Sequence, residues 1–228
     1  KPFLDVAFGI EFHQPANAGF YLINGKTQAK TVLTKHPGFS DRKRDFLLKL
    51  ASTWVGRSPV FMQWSNSPSL RLDGTTRQVL GLLLMHRFGF NTKEGWSWEG
   101  IGLYLDYQLT GTRLTYTVVP EYTTTLKFDP REMERRMNAP GANWIELARG
   151  LVVADQAVPL EALLKKAVNQ LDHRDVLFSY ALAAYLIEGC GEKGTRFISR
   201  YGGPDSLDRA ARDAFGLTAE EFEERFHR

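Results

Sequence analysis

Short β-prone runs dominate the first third of the sequence. Leu4–Ile10 is apolar, and Gly19–Ile23 is followed by Asn24-Gly25 and then by Lys26–Leu33, where polar and apolar residues alternate. An Asn-Gly pair between two such runs favours a type I′ turn, which needs a positive φ at both central residues. The pattern predicts a β-hairpin here, and Val60–Trp64 is a further short strand candidate.

Apolar residues at helical spacing predict three helices in the remainder of the front half: Arg42–Val55, about 76–88, and Trp96–Leu109. The middle of the second helix, Val79–Met85, is apolar on all sides. A helix of this kind is buried on every side, so we expect it to be the central helix of the domain. The other elements predicted in this half are a loop over Ser65–Gly74 and a strand over Arg113–Val119.

From Pro130 onward, the sequence pattern predicts an almost entirely helical chain. The predicted helices are Pro130–Met137, Trp144–Val152, Leu160–Leu171, Arg174–Glu188, Lys193–Tyr201, Ser206–Phe215 and Thr218–Phe226. Thr218 and Glu221 have the spacing of a capping box. The change of pattern predicts two subdomains, an α/β part over 1–125 that holds the central helix and the Glu99 helix, and a helical part over 126–228.

Composition narrows the classes of function. The 228 residues include 29 Lys and Arg against 26 Asp and Glu, a net charge of +3, and the basic residues form no dense stripe. This distribution argues against nucleic-acid binding. Cys190 is the only cysteine, which excludes an internal disulfide and a cysteine-based metal site. No apolar run is long enough to span a membrane. The chain begins at Lys1 without a signal peptide, so we expect a mature form or a piece of a larger protein.

One histidine on the second helix occupies a position that could bind a metal. In a helical His-Glu-x-x-His motif the two histidines are four residues apart and therefore share a face, while the glutamate activates a water molecule. If His86 is the second histidine, Leu82 stands where the first would be, and Leu83 stands where the catalytic base would be. A leucine can neither bind zinc nor accept a proton.

The segment from Leu82 to Thr92, followed by Trp96-Ser97-Trp98-Glu99-Gly100 and Tyr104, resembles the gluzincin clan of zinc metallopeptidases. It is most similar to bacterial peptidase-like families of uncharacterised function in that clan. Those families carry His-Glu-x-x-His and then a Trp-x-x-Glu-Gly-Leu-Ala-x-Tyr helix, whose glutamate is the third zinc ligand. The resemblance therefore makes His86 the second histidine and Glu99 the third ligand, and we expect the two side chains to meet.

The resemblance extends over roughly residues 75–228. Ser179, Tyr185–Glu188 and Gly191-Glu192-Lys193 are similar to a Tyr-Ala-x-Ser…Tyr-Leu helix and the turn after it. In this alignment the tyrosine that opens the helix, a candidate oxyanion stabiliser, falls at Val176. The resemblance implies an α+β, zincin-like fold: an N-terminal mixed β-sheet with helices, including the buried central helix, and an all-helical C-terminal lobe. It also implies an extracytoplasmic location.

The departures from the family pattern imply a degenerate metallopeptidase. Leu82 removes a ligand, Leu83 removes the base, and we expect neither a bound metal nor another cofactor. The resulting hypothesis is a pseudoenzyme that binds a protein, peptide or glycan, or that has a structural role. The aromatic side chains of Trp64, Trp96 and Tyr104 are candidate contacts in the cleft, although core packing is the alternative for such residues. The rival hypothesis is a metal-dependent hydrolase whose rearranged site uses His86 and Glu99.

Overall fold

The structure, a computed structural model, describes residues 19–35, 40–48, 52–54, 60–89, 93–116, 118, 129–201 and 206–228. The backbone contacts divide the chain into two compact units. The sheet unit lies within Gln14–Leu83 and Asp106–Thr115, and the helical unit comprises the described residues within Leu84–Leu105 and Tyr116–Arg228. The predicted subdomain boundary near residue 125 falls outside the described residues and stays a prediction.

A three-stranded sheet is the β component of the sheet unit. The strands are β1 (Gly19–Leu22), β2 (Ser52–Trp54) and β3 (Val60–Gln63), in the spatial order β1-β3-β2. β1 pairs in parallel with β3, with Phe20 opposite Phe61, and β2 pairs antiparallel with β3, with Thr53 opposite Met62. The sheet is therefore mixed, as predicted.

Three helices accompany the sheet: α1 (Gly25–Lys35), α2 (Asp41–Leu47) and α3 (Pro68–Phe88), of which α3 continues into the helical unit. One apolar core joins the sheet to α1 and α2. It is formed by Ile23, Ala29, Leu33, Leu47, Met62 and Trp64. In α1 the buried residues Gly25, Ala29 and Leu33 recur every four positions, which is the spacing that places side chains on one helix face.

The helical unit contains helices joined by shorter helical turns. The helices are α4 (Gly102–Thr110, whose last residues belong to the sheet unit), α5 (Pro130–Met137), α6 (Trp144–Val153), α7 (Leu160–Leu164), α8 (His173–Ala184), α9 (Glu192–Tyr201), α10 (Leu207–Phe215) and α11 (Ala219–His227). A first π-helical turn, Ser97–Ile101, precedes α4, a 3₁₀ turn covers Val168–Gln170, and a second π-helical turn, Tyr185–Gly189, extends α8.

Helix α8 is the most deeply buried element of the helical unit, since every residue of it except Arg174 is buried. Stacked aromatic rings join α9, α10 and α11: Phe222 lies 4.8 Å from Phe197 and 5.1 Å from Phe215, measured between ring centroids. Trp144 is fixed by a 2.9 Å hydrogen bond from its indole N–H to the carbonyl of Met137. The mixed sheet and the helical C-terminal part confirm the broad α+β class.

The predicted β-hairpin is wrong, because residues after Gly25 form α1 instead of a second strand. Gly25 does have a positive φ of 78°, but it is the first residue of α1. Asn24, directly before the helix, donates its N–H to the Gln28 side chain at 2.8 Å. Two threonine hydroxyl groups donate within the helix, that of Thr31 to the carbonyl of Thr27 at 3.3 Å and that of Thr34 to the carbonyl of Lys30 at 2.7 Å. The polar-apolar alternation also fits a helical face, which the sequence pattern alone did not distinguish. The predicted strand over Leu4–Ile10 lies outside the described residues.

Two other boundaries in the sheet unit differ from the prediction. The helix predicted over Arg42–Val55 ends at Leu47, since Ser52–Trp54 pairs with β3 and pairing across the sheet overrides helical preference. The loop predicted over Ser65–Gly74 is already helical from Pro68 onward. Proline is favoured at the first position of a helix, and the Ser67 hydroxyl accepts a hydrogen bond from the Leu70 N–H at 3.4 Å.

The central helix is longer and less completely buried than predicted. Leu80 and Leu84 are 2% exposed, but Val79 and Met85 expose 37% and 39% of their surface. The prediction of a helix buried on every side is therefore wrong: α3 has one buried face. The strand predicted over Arg113–Val119 is also wrong for residues 113–116 and 118, which have no regular structure.

Candidate functional site

Glu99 lies in the first π-helical turn, at the start of the helix where the third zinc ligand was expected. π-helical turns are rare in proteins as a whole, and those that occur are often found at functional sites. Glu99 is 0% exposed and is not left without an interaction partner. The turn is anchored by the N–H of Gly95, which donates to the carbonyl of Lys166 at 2.9 Å. The hydroxyl of Ser97 donates to the carbonyl of Glu94 at 2.9 Å.

Gly100 brings this turn into direct backbone contact with α8. A Cβ atom at Gly100 would lie 2.2 Å from the carbonyl oxygen of Ser179, a distance that no side-chain carbon can occupy. Ser179 is itself 0% exposed. The Glu-Gly pair therefore has a packing role in this fold, because only glycine lets the two helices approach so closely.

Val176 lies near the start of α8 and is fully buried. The helix begins with a capping box in which the Asp172 side chain accepts from the N–H of Asp175 at 3.0 Å. Lys166 donates to both carboxylate oxygens of Asp175 at 2.7 Å. Burial raises the pKa of Asp175, and the charge of Asp172 adds to this effect. The position predicted for an oxyanion stabiliser is thus an apolar core position that can donate no hydrogen bond.

The predicted vestigial site is distributed over the two units. Leu82 and Leu83 are half-buried residues of α3 in the sheet unit. The backbone of His86 belongs to the same helix, but its side chain lies outside the described residues. The predicted contact between His86 and Glu99 therefore stays a prediction.

The three aromatic residues predicted to contact a ligand are buried in the fold. Trp64 is 4% exposed and belongs to the core of the sheet unit. Trp96 is 0% exposed and makes an edge-to-face contact with Tyr201 at 5.9 Å. Tyr104 is 5% exposed, and its hydroxyl donates a short 2.5 Å hydrogen bond to Glu188. Core packing is therefore the role that the structure gives these side chains, and they offer a ligand little surface.

The sequence reasoning missed a cluster of buried polar residues in the sheet unit. Asp73 on α3 is 0% exposed and accepts hydrogen bonds from the backbone N–H groups of Leu114 at 2.7 Å and of Thr115 at 2.9 Å. The hydroxyl groups of Thr112, at 2.9 Å, and of Thr115 also donate to it. Asp73 thus binds the backbone of the segment that was predicted to be a strand. This capture explains why that segment pairs with no strand in the described part of the chain.

Asp106 on α4 is a second fully buried acid beside Asp73. Burial, followed by the charge of Asp73, raises the pKa of Asp106 to about 8, although Arg77 acts in the opposite direction. Asp106 is therefore a neutral carboxylic acid at pH 7. A pair of adjacent carboxyl groups can also serve acid–base catalysis. Here both are sealed from solvent, so a substrate has no access, and their role is to hold the structure. The spacing of Asp73 and Arg77, four residues apart on one helix, was the available sequence signal.

No group of three or more His, Cys, Asp or Glu side chains is placed to hold a metal ion, within the residues whose side chains the structure describes. None of the helices in that part of the chain combines the length and the apolar character needed to cross a bilayer. Comparisons of the chain with models of protein families, with curated proteins and with solved structures found no match.

Proposed function

We propose that this chain is a catalytically inactive, zincin-like domain that binds a protein, peptide or glycan, or serves as a structural module. One observation carries the proposal: Leu82 and Leu83 occupy consecutive positions on a single unbroken helix that also holds His86. Residues 82 and 86 are one helical turn apart, so the backbone has the spacing of a zinc-binding helix while the side chains lack its chemistry.

The surroundings of Glu99 support the same reading. A catalytic zinc site keeps one coordination position open for water or substrate. Glu99 is instead completely buried in a turn whose neighbour, Gly100, packs against the backbone of α8. Val176, at the position aligned with the tyrosine that would stabilise an oxyanion, has no side-chain hydrogen-bond donor.

The missing groups predict a large loss of activity relative to a complete zinc peptidase. With Leu82 in place of histidine, two ligands remain in the resemblance, and most zinc sites need three or four. With Leu83 in place of glutamate, no base is available, and general-base catalysis alone contributes about 10²–10⁴-fold to the rate. A peptidase that lacked both would retain the scaffold without the reaction.

The first experiment measures the metal content of the purified protein by elemental analysis after dialysis. We expect substoichiometric zinc. We also expect that adding a chelator leaves the thermal stability of the protein unchanged. Stoichiometric, chelator-sensitive zinc together with peptide hydrolysis would overturn the proposed inactivity and support the rearranged hydrolase.

The second experiment restores the motif with the double substitution Leu82→His/Leu83→Glu. The matched control is Leu82→Asn/Leu83→Gln, which introduces polar groups of similar size without completing the motif. Circular dichroism establishes that both variants fold. We expect the His/Glu variant alone to bind one zinc ion, since restoration adds the missing ligand at the correct helical spacing. If a folded His/Glu variant binds no more zinc than the control, the zincin-like arrangement is wrong.

A further inference from the structure

A groove in the helical unit lies on the face of α8 opposite to the one that contacts the first π-helical turn. Successive helical residues are about 100° apart, so Phe178, Ala181 and Tyr185 point away from the side on which Ser179 meets the first π-helical turn. The groove has a cavity volume of about 450 Å³. This volume falls within the range of small-molecule binding sites, roughly 300–1,000 Å³.

The floor of the groove is apolar. Its depth comes from small side chains of α8, since Ala181 and Ala184 are buried and leave space between the larger residues. Aromatic rings form the walls: Phe226 lies 5.7 Å from Tyr185 and 6.4 Å from Phe178, measured between ring centroids. A concave apolar surface of this kind suits a hydrophobic ligand body.

The rim of the groove is positively charged. Arg149, Arg225 and Arg228 line it, and the acid among the lining residues, Glu188, already accepts the short hydrogen bond from Tyr104. Arg149 and Arg228 have partners on their own helices, Glu146 and Glu224.

Arg225 differs from the two other arginines, because no carboxylate of the described residues pairs with it. It lies close to the hydroxyl of Tyr185. Burial and the nearby Cys190 thiol raise the pKa of that tyrosine, whereas Arg225 lowers it. A guanidinium group has five N–H donors, of which the Tyr185 hydroxyl can engage only part. Beside an apolar cavity, such a group is suited to hold a carboxylate with two parallel hydrogen bonds.

His227 adds a second polar group at the same wall. Its Nε2 atom is buried and has no hydrogen-bond partner among the described residues. The imidazole ring packs against Phe226 at 5.2 Å and Phe178 at 5.9 Å. Burial lowers the pKa of His227, although Glu223 acts in the opposite direction, so the ring is neutral at pH 7. A neutral imidazole can donate one hydrogen bond to an oxygen atom, and buried polar atoms in native proteins usually have such a partner.

We propose that this groove binds an amphiphilic carboxylate, whose alkyl body lies on the floor formed by α6 and α8 and whose carboxylate is held by Arg225 at the rim. The charge at the rim selects the anionic headgroup, and the alanines of the floor accommodate the chain. The site is separate from the Glu99 turn and does not depend on the proposed zincin-like ancestry.

Decanoate is a suitable probe, used below its micelle concentration and followed by isothermal titration calorimetry with the whole chain. Decanol, decyltrimethylammonium and acetate test the neutral, cationic and headgroup-only alternatives. We expect decanoate to bind more tightly than all three, and affinity to rise by up to about fourfold for each methylene added between octanoate and decanoate. Equal binding of decanol or the ammonium compound would overturn the carboxylate assignment, and so would tighter binding of decyl phosphate.

Two variants separate recognition from nonspecific attraction. Arg225→Gln should weaken decanoate binding by about 10- to 100-fold, the effect of losing a hydrogen bond to a charged group, and should leave decanol binding unchanged. Arg131→Gln removes the same charge from an exposed position on α5 and should leave decanoate binding unchanged. Both residues are exposed, so the variants should fold. An equal loss in the two variants, or no measurable decanoate binding to the native chain, would overturn the proposal.

Discussion

Asp106 is a buried acid with a pKa near 8, so the substitution Asp106→Asn should change how the stability of the protein depends on pH. In the folded state the group keeps its proton until the pH approaches 8. In the unfolded state it loses the proton near 3.8. Between these values the folded state binds more protons, so stability falls as the pH rises. The contribution is fully present below pH 4 and fully lost above about pH 8.

The magnitude follows from the two pKa values. A tenfold change in a protonation constant corresponds to about 1.4 kcal/mol. The rise from 3.8 to about 8 therefore corresponds to roughly 6 kcal/mol of stability lost across that pH range. Asparagine cannot ionise, and the variant lacks this loss. The free energy of unfolding of Asp106→Asn, relative to the native chain, should increase by roughly 4 kcal/mol between pH 5 and pH 9.

Urea unfolding at constant ionic strength, at pH 5, 6, 7, 8 and 9, measures this difference through circular dichroism and tryptophan fluorescence. Asp208→Asn is the matched control, because Asp208 is at the surface and a hydrogen bond from Arg212 lowers its pKa. Its stabilising effect is lost only in acid, below the range tested. A constant difference between Asp106→Asn and the native chain from pH 5 to pH 9 would refute the reasoning. Such a result would mean that water reaches Asp106 or that Arg77 neutralises its charge.

Three further substitutions test local features of the fold by thermal and chemical unfolding. Gly100→Ala should destabilise the protein by at least about 1–3 kcal/mol, the usual cost of overpacking, because the added Cβ would meet the Ser179 carbonyl at 2.2 Å. The control Gly150→Ala lies on an exposed face of α6 with open space around it and should stabilise the protein by about 0.5–1 kcal/mol. Equal effects of the two substitutions would contradict the close approach at Gly100. Thr218→Ala should cost about 1 kcal/mol by removing the capping box of α11, and an unchanged midpoint would show that this helix end does not contribute. Tyr104→Phe should cost about 1.5–3 kcal/mol, the range for hydrogen bonds to charged groups, and a loss below 0.5 kcal/mol would indicate that water replaces the bond.

Most helices of the C-terminal part could be predicted from the sequence because their signals are local, although the helix predicted over Leu160–Leu171 ends at Leu164. The capping box at Thr218 is present in α11. In the front half, Gly89 and Gly111 both have a φ of 72° and lie directly after α3 and α4. A cap or a left-handed glycine depends on residues within one helical turn, so the neighbouring sequence contains the information. The leucines at positions 82 and 83 belong to the same category, because the inability of leucine to bind zinc or to act as a base is a property of the residue itself.

The sheet unit, the buried acids and the groove beside α8 were decided by contacts between distant parts of the chain. Residues 25–35 became a helix through packing on the strands, and Ser52–Trp54 became a strand through pairing with β3. Asp73 accepts hydrogen bonds from the backbone of a segment about 40 residues further along the chain. No local sequence pattern predicts these bonds. The groove beside α8 requires residues from α6 and α11 to meet. The sequence determines which residues can cap, ligate or ionise, whereas burial, close approach and the pKa of Asp106 arise only when remote segments exclude water together.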